Sequence, residues 1–358
     1  MKKQNIGIGW DFAAIWNECL HSIPERPLQS RDYIYASELG GSFTDRYLKM
    51  YAVTPTNPPN ERSKRKFSAG HVFEWIVGLV LTSAGVLKSR QLRGEYQLKG
   101  MLSVSGRLDF IAGGQVDWEL ARNRVQELKS LFLQSNSDMP PIVTHAIDVI
   151  LERFEAQFRA NSLKEVVFEC KSVSSFMSDK IDRTGKPMPH HQLQCLHYLL
   201  SNEMDEAYLV YCSKDDLFTY QFSVQPTEEL LGWYAKDVKQ MTEFYNAGFD
   251  KKKPLKFAPS KEPEVVFDPE TGRFSTNYKI EYSPYLSLLY PEFGSPMSYR
   301  MKWDKSVSSW NRVFKRCTNN DKMTPANLDI IKEAKITFPN WDELVDNARK
   351  SGVFTNDE

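Results

Sequence analysis

Apolar residues at Phe73, Ile76, Val77, Val80, Leu81 and Ala84 recur at i, i+3, i+4, i+7, i+8 and i+11. That spacing predicts one buried stripe on an α-helix, with Gly85 as its stop. The period then changes. Over residues 102–114, Leu102, Val104, Leu108 and Phe110 alternate with Ser103, Ser105, Arg107 and Asp109. Alternation by two predicts a single strand, closed by the Gly113-Gly114 turn. Residues 165–172 (EVVFECKS), 207–213 (AYLVYCS) and 217–224 (LFTYQFSV) also read as strands, the last two joined at Lys214-Asp215-Asp216.

Helical signals fill the intervals. Residues 37–51 predict a capped helix interrupted by Gly40-Gly41, followed by a Pro- and Asn-rich loop over 54–66. Residues 116–163 predict two helical pieces split at 135–141, and 190–200 (HHQLQCLHYLL) a further helix. Thr227 is placed to cap a helix over 228–247, with Gly248 just past its end. The Lys- and Pro-rich stretch 251–263 marks a boundary. Beyond it, FDPETGRF (267–274) predicts a hairpin, and two helices start near Thr324-Pro325 and Asn340. Strands mixed with helices indicate an α/β fold. The expected organisation is a domain over 1–250, with a helical insertion at about 116–163, and a C-terminal extension over 251–358.

Charge and cysteine usage narrow the classes. The 358 residues carry 46 Lys+Arg and 46 Asp+Glu, so a uniformly basic coat is excluded while local basic grooves are not. Five cysteines, an odd number with no C-x-x-C pair, argue against a disulfide scaffold, a zinc ribbon or a thioredoxin-type site. The N-terminus meets Asp11 before any apolar run forms, and the apolar stretch 75–87 falls short of the ~20 residues that span a bilayer. The expectation is a cytoplasmic protein with no membrane partner.

Four features carry candidate chemistry. On the strand over 165–172, a period of two puts Glu169 and Lys171 on one face and Phe168 and Cys170 on the other. A carboxylate binds a hard cation such as Mg2+, and a lysine beside it positions water or neutralises charge on a phosphate. Asp109, in Gly106-Arg107-Leu108-Asp109-Phe110, meets Glu169 if the two strands pair. Glu74 sits at the margin of the predicted helix stripe, with His71 three residues earlier. Gln194 and Tyr198, at i and i+4, share a helix face, suited to binding a phosphate or bracing the lysine. His190, His191 and His197 invite a zinc reading, but no fourth ligand stands at a helpful spacing.

The order of these features is specific where each alone is not. G-x-x-x-E on a helix, G-R-L-D on a strand, E-C-K-S on a strand and Q-x-x-x-Y on a helix together resemble the PD-(D/E)XK nuclease superfamily. Within it the order is most similar to RecB-type nuclease domains, lambda exonuclease and YqaJ-type phage recombinases. The resemblance spans roughly residues 37–224. It implies a restriction-endonuclease-like core, a mixed central sheet flanked by helices, with the site at one sheet edge. It implies Asp109 and Glu169 as metal ligands, joined by the Cys170 carbonyl, with Glu74 or His71 near the metal. Lys171 is then the catalytic lysine, and Gln194 with Tyr198 the supporting pair. The implied cofactor is Mg2+ or Mn2+. Some relatives carry a cysteine-bound iron–sulfur cluster; Gly40-Gly41-Ser42-Phe43 has no cysteine in the matching place, so none is expected. The 60-residue gap from Asp109 to Glu169 departs from a simple hairpin and is assigned to the insertion.

The implied function is a Mg2+-dependent DNA nuclease, working as an exonuclease or end-processing enzyme in recombination, repair or phage replication. The partner is then DNA, single- or double-stranded, with a homo-oligomer or a recombination partner possible. The alternative is a catalytically inactive nuclease-fold protein that binds nucleic acid or serves in assembly. A third reading is an unrelated metal-dependent hydrolase of small phosphoesters. Outside the resemblance, Arg300, Lys302, Lys305, Arg312, Lys315 and Arg316 interleave with Trp303 and Trp310. Basic residues contact phosphates and aromatic faces stack on unpaired bases. The same run also fits an amphipathic helix that buries Trp310, Val313, Phe314 and Cys317.

Overall fold

A computed structural model describes residues 27–114, 117–135, 149, 152–153, 155–156, 163–248 and 262–354. Most of the expected insertion beyond residue 135, and most of the expected boundary at 251–263, lie outside the described residues. Two compact units are present. The first contains 27–41, Met50–Ala52 and Pro59–Gly248, and the second contains Ser42–Lys49, Val53–Pro58 and 262–354. Division is therefore not colinear, unlike the expected 1–250 and 251–358. Hydrogen bonds explain why two early segments join the late one. Ser283 donates to Asp45 at 2.7 Å, the Tyr285 hydroxyl to the Val53 carbonyl at 3.0 Å, and the Ser287 N–H to Asn57 at 2.8 Å.

In chain order the first unit begins with β1 (Tyr33–Tyr35). Helix α1 (Phe43–Met50) lies almost wholly in the second unit, and α2 (Glu61–Ser83) returns the chain to the first. Next come β2 (Leu87–Arg90), β3 (Arg93–Gln97), β4 (Ser103–Arg107), β5 (Phe110–Gly114) and α3 (Trp118–Ser135). Then follow β6 (Leu163–Val173), α4 (Ser175–Thr184), α5 (Pro189–Asn202), β7 (Ala207–Ser213), β8 (Thr219–Val224) and α6 (Glu228–Asn246). A central five-stranded sheet has the order β2-β5-β6-β7-β8, and a small sheet has the order β1-β4-β3. Only β6 and β7 are parallel within the central sheet, which is therefore mixed; α4 and α5 make that crossover, as a parallel pair requires.

The stretch expected as one strand over 102–114 is two. Chain direction breaks at Leu108-Asp109, and β4 and β5 belong to different sheets. Alternation continues through the break, so periodicity alone does not reveal it. Two backbone bonds pin the crossing: Leu108 N–H to the Leu92 carbonyl at 3.0 Å, and Gln91 N–H to the Asp109 carbonyl at 2.9 Å.

Helix α2 also differs from its pattern. Leu81 and Ala84 are buried against Phe110, Phe168 and Cys170, but Ile76 and Val80 are exposed. The contact line runs through Gly70, Gly78 and Leu81. A Cβ on Gly78 would lie 2.8 Å from the Phe110 ring, so glycine lets the helix sit close to the sheet. A hydrophobicity pattern does not count glycine, and the true face is rotated toward Glu74.

Helix α5 is buried on consecutive residues from Leu193 to Leu199. A helix covered all round belongs in a core; this one packs on β6 and β7 and on β3 and β4. Gly94 and Gly106 pair across β3 and β4 beneath it. A Cβ on Gly106 would lie 2.6 Å from the Ala36 Cβ and 2.7 Å from the Tyr198 ring. Gly106→Val is expected to destabilise the fold by about 1–3 kcal/mol through overpacking, measured by urea unfolding.

The second unit pairs β9 (Val265–Asp268) with β10 (Arg273–Thr276) as the expected hairpin. After it come α7 (Tyr278–Glu281), α8 (Leu286–Leu289), α9 (Pro296–Thr318), α10 (Pro325–Thr337) and α11 (Trp341–Ser351). Its core gathers Trp310, Phe314 and Trp341 around Phe274. No described helix is long and apolar enough to cross a membrane.

Candidate active site

Strand β6 is longer than its neighbour β5, and the site opens where β5 stops. Pairing with β5 ends at Phe110 and Phe168, whereas pairing with β7 continues to Val173. One step beyond the last β5–β6 pair, Asp109 stands opposite Glu169. The Cys170 N–H, left without a strand partner on that side, donates to Asp109 Oδ2 at 2.8 Å. N–H and C=O of one strand residue point to the same neighbour, so the Cys170 carbonyl faces this opening too. The site lies at the ends of the second and third strands of the central sheet, not on an outer strand.

Glu169 is 1% exposed, and its carboxylate is held from two sides. Lys171 Nζ donates to Oε1 from the same strand face. Gln194 Nε2 donates to the same oxygen at 2.8 Å and to the Tyr198 hydroxyl at 2.9 Å; that hydroxyl donates to the Arg107 carbonyl at 3.1 Å. A chain of hydrogen bonds thus ties Glu169 through α5 to β4. Gln194 and Tyr198 are buried. Gln194 holds the carboxylate, and Tyr198 holds Gln194.

The second oxygen, Glu169 Oε2, is buried and, with Asp109 ionised, has no hydrogen-bond partner among the described residues. An orphaned carboxylate oxygen is costly unless a proton or a cation meets it. Burial and the nearby Glu169 carboxylate push the Asp109 carboxyl well above its ordinary range. Burial raises Glu169 as well, against the lowering pull of Lys171. Burial works against a charged Lys171, but the Glu169 and Asp109 carboxylates outweigh it and raise its pKa. Two acids and one ammonium thus meet here, and negative charge is in excess once both acids are ionised. Hard oxygen donors of this kind fit Mg2+ or Mn2+. Among the described residues no three His, Cys, Asp or Glu side chains converge as a ready metal cage. An ion held here would need backbone, water or substrate oxygens to complete its shell, as Mg2+ commonly does.

Glu74 joins at one remove. Gln91 Nε2 donates to Glu74 Oε1 and lies 3.5 Å from Asp109 Oδ1, bridging α2 to the acids. His71 lies farther out: its side chain is 81% exposed, with Nδ1 3.6 Å from Glu74 Oε2. The zinc reading is not met either. His191 Nδ1 faces the Tyr211 hydroxyl at 2.9 Å and His197 Nδ1 the Tyr234 hydroxyl at 3.2 Å, and burial lowers His197 to about 4. Sequence reading missed Gln91. It is a loop amide in the left-handed region (φ 53°), and nothing in its neighbours marks it.

The C-terminal candidates divide. Trp310 is 1% exposed and packs edge-on to Phe274, so it offers no face to a base. Trp303 is half-buried and donates to Glu264 at 2.7 Å. Arg300 pairs with Glu281 at 2.5 Å and Lys302 with Glu264 at 2.9 Å. Among the described residues Lys305 and Arg312 make no ion pair, while Arg316 lies 3.7 Å from Asp321; the amphipathic reading of α9 holds for its aromatic side.

No protein-family model matches the chain, and no curated protein matches it. Similar solved structures include the crystal structure of SSO0001, at 16% identity over 69% of this chain and 94% of that one, TM-score 0.37. They also include an alkaline exonuclease, LHK-Exo, from Laribacter hongkongensis, at 10% identity over 60% of this chain and 89% of that one, TM-score 0.33. Its complex with dAMP aligns over the same shares with a TM-score of 0.37.

Proposed function

We propose that this chain is a DNA nuclease that hydrolyses phosphodiester bonds with Mg2+ or Mn2+ and acts at DNA ends. The observation that carries the reading is the buried Oε2 of Glu169, without a hydrogen-bond partner among the described residues, beside Asp109 and on the face shared with Lys171. Asp109, Glu169 and the Cys170 carbonyl would hold the ion, which when bound neutralises the scissile phosphate and activates the attacking water. Action at ends follows the resemblance of the ordered motifs.

The protein's own groups have distinct parts. In the metal-free protein the Glu169 and Asp109 carboxylates raise the Lys171 pKa. As an ammonium it serves as a donor to oxygens that gain charge in the transition state. Glu169 fixes the position of that ammonium, and Gln194 and Tyr198 fix Glu169.

End-labelled single- and double-stranded DNA, incubated with Mg2+, Mn2+ or EDTA, tests the proposal. Metal-dependent shortening by the wild type, lost in Glu169→Ala, supports it. Binding without cleavage under every condition overturns it and leaves the non-catalytic reading. Tyr198→Phe keeps the ring and removes the hydroxyl that Gln194 and Arg107 share. It is expected to lower cleavage by about tenfold, and raised Mg2+ is expected to recover part of the loss, since groups that orient ligands cost about 10–100-fold in metal affinity.

A further inference from the structure

Folding sorts the basic residues of the second unit. Arg300 and Lys302 are committed to glutamates. Arg312, Lys315 and Arg316, on the last turns of α9, instead line a cavity of about 450 Å3. A fourth cation, Arg273, enters it from β10. Asn311 brings strand and helix together: its amide accepts from the Phe274 N–H at 2.7 Å and donates to the Phe274 carbonyl at 2.9 Å. Sequence distance hides this, since Arg273 lies outside the basic run.

Four cations thus face one acid on the cavity wall, Asp321, which lies 3.7 Å from Arg316. Among the described residues neither the Arg273 nor the Arg312 guanidinium has an ion-pair or hydrogen-bond partner. Like charges gathered on one wall repel, and an anion between them relieves the repulsion. Guanidinium forks match phosphate oxygens. Phe354 supplies an aromatic wall, with Lys315 5.7 Å from its ring centroid. Gly272, at φ 63°, makes room for that ring, because a Cβ there would lie 2.7 Å from it. The volume is of the size of small-ligand sites, about 300–1,000 Å3.

We infer that this cavity binds the phosphate of a nucleotide unit, with Arg273 and Arg312 on the phosphate oxygens. Free nucleotide and nucleic-acid strand present the same chemistry, and the test separates them. It does not depend on cleavage, so failure of the nuclease reading leaves it standing.

The full chain is studied in EDTA as wild type, as Arg273→Ala/Arg312→Ala and as Lys332→Ala, an exposed cation of α10 outside the cavity. Probes are inorganic phosphate and dAMP by thermal shift, and a labelled single-stranded oligonucleotide by anisotropy. For a strand, the double variant is expected to bind the oligonucleotide about tenfold more weakly. Its log–log salt slope should fall by about 1.4, at 0.7 per phosphate contact. Lys332→Ala should change little. A thermal shift with dAMP or phosphate in the wild type, absent in the double variant, assigns the site to the free ligand. Equal behaviour of wild type and double variant with every probe overturns the inference, as does an equal loss in Lys332→Ala. Both arginines are exposed, so the double variant should keep the wild-type Tm without ligand. Should it not fold, Arg273→Gln and Arg312→Gln singly are put to the same measurements.

Discussion

Lys171→Ala is expected to lower metal-dependent DNA cleavage by about 10²–10³-fold while DNA binding in EDTA persists. The magnitude is that of removing one preorganised donor from a developing anion. Lys171 is only 23% exposed and is aimed by Glu169, so water replaces it poorly. The pH profile adds a discriminating result. A lysine that acted as base would give activity that rises until its pKa is reached; one that acts as donor gives activity that falls above it. Removing the lysine also leaves Glu169 buried without its counter-charge, which costs about 3–5 kcal/mol when such a pair is broken. Thermal melting alongside the cleavage assay separates the two effects. A folded Lys171→Ala that cleaves at the wild-type rate removes lysine from the chemistry.

Asp109→Asn is expected to lower cleavage by about 10²–10³-fold, as loss of an interaction worth several kcal/mol would, and to stabilise the metal-free fold above the ordinary carboxylate range. The sign follows from linkage. Burial, then Glu169, raises the Asp109 pKa above its unfolded value. The folded state thus holds a proton that the unfolded chain releases first. Its contribution is complete below the unfolded pKa and is lost as pH rises through the folded pKa. Asparagine resembles the protonated acid and does not titrate. Melting curves from about pH 4 to 9 in EDTA should therefore converge for wild type and Asp109→Asn at the acid end and separate toward alkaline pH, with the variant higher. Metal reverses the preference, because a ligating carboxylate must be deprotonated. Mg2+ should raise the wild-type Tm more as pH increases, and barely move the variant. Curves that run parallel across the range would show that Asp109 has an ordinary pKa.

Much of the architecture was legible from the chain. Strand 207–213 and the Thr227 cap match the fold to the residue, because period and capping chemistry are local. The facing pair Glu169 and Lys171 followed from alternation, and Gln194 and Tyr198 from helical spacing. What was misread shares one cause. The break at Leu108-Asp109 and the rotation of α2 about Gly78 depend on which surfaces meet, and no window of neighbouring residues contains that. Gln91 and Arg273 escaped for the same reason: each gains meaning only from a residue far along the chain.

The amino-acid order by itself determined the periods, the caps, the hairpin and the residue types available for chemistry, since these arise from backbone geometry within a turn or two. Tertiary structure alone decided that β6 outlasts β5 at Phe110, leaving an opening where Asp109 meets Glu169. It also decided that Oε2 of Glu169 is buried with no partner among the described residues, and that a hairpin arginine joins three helix cations around one cavity. Strand neighbours and desolvation are set by contacts between distant segments, and those contacts fix where a charge stays unanswered.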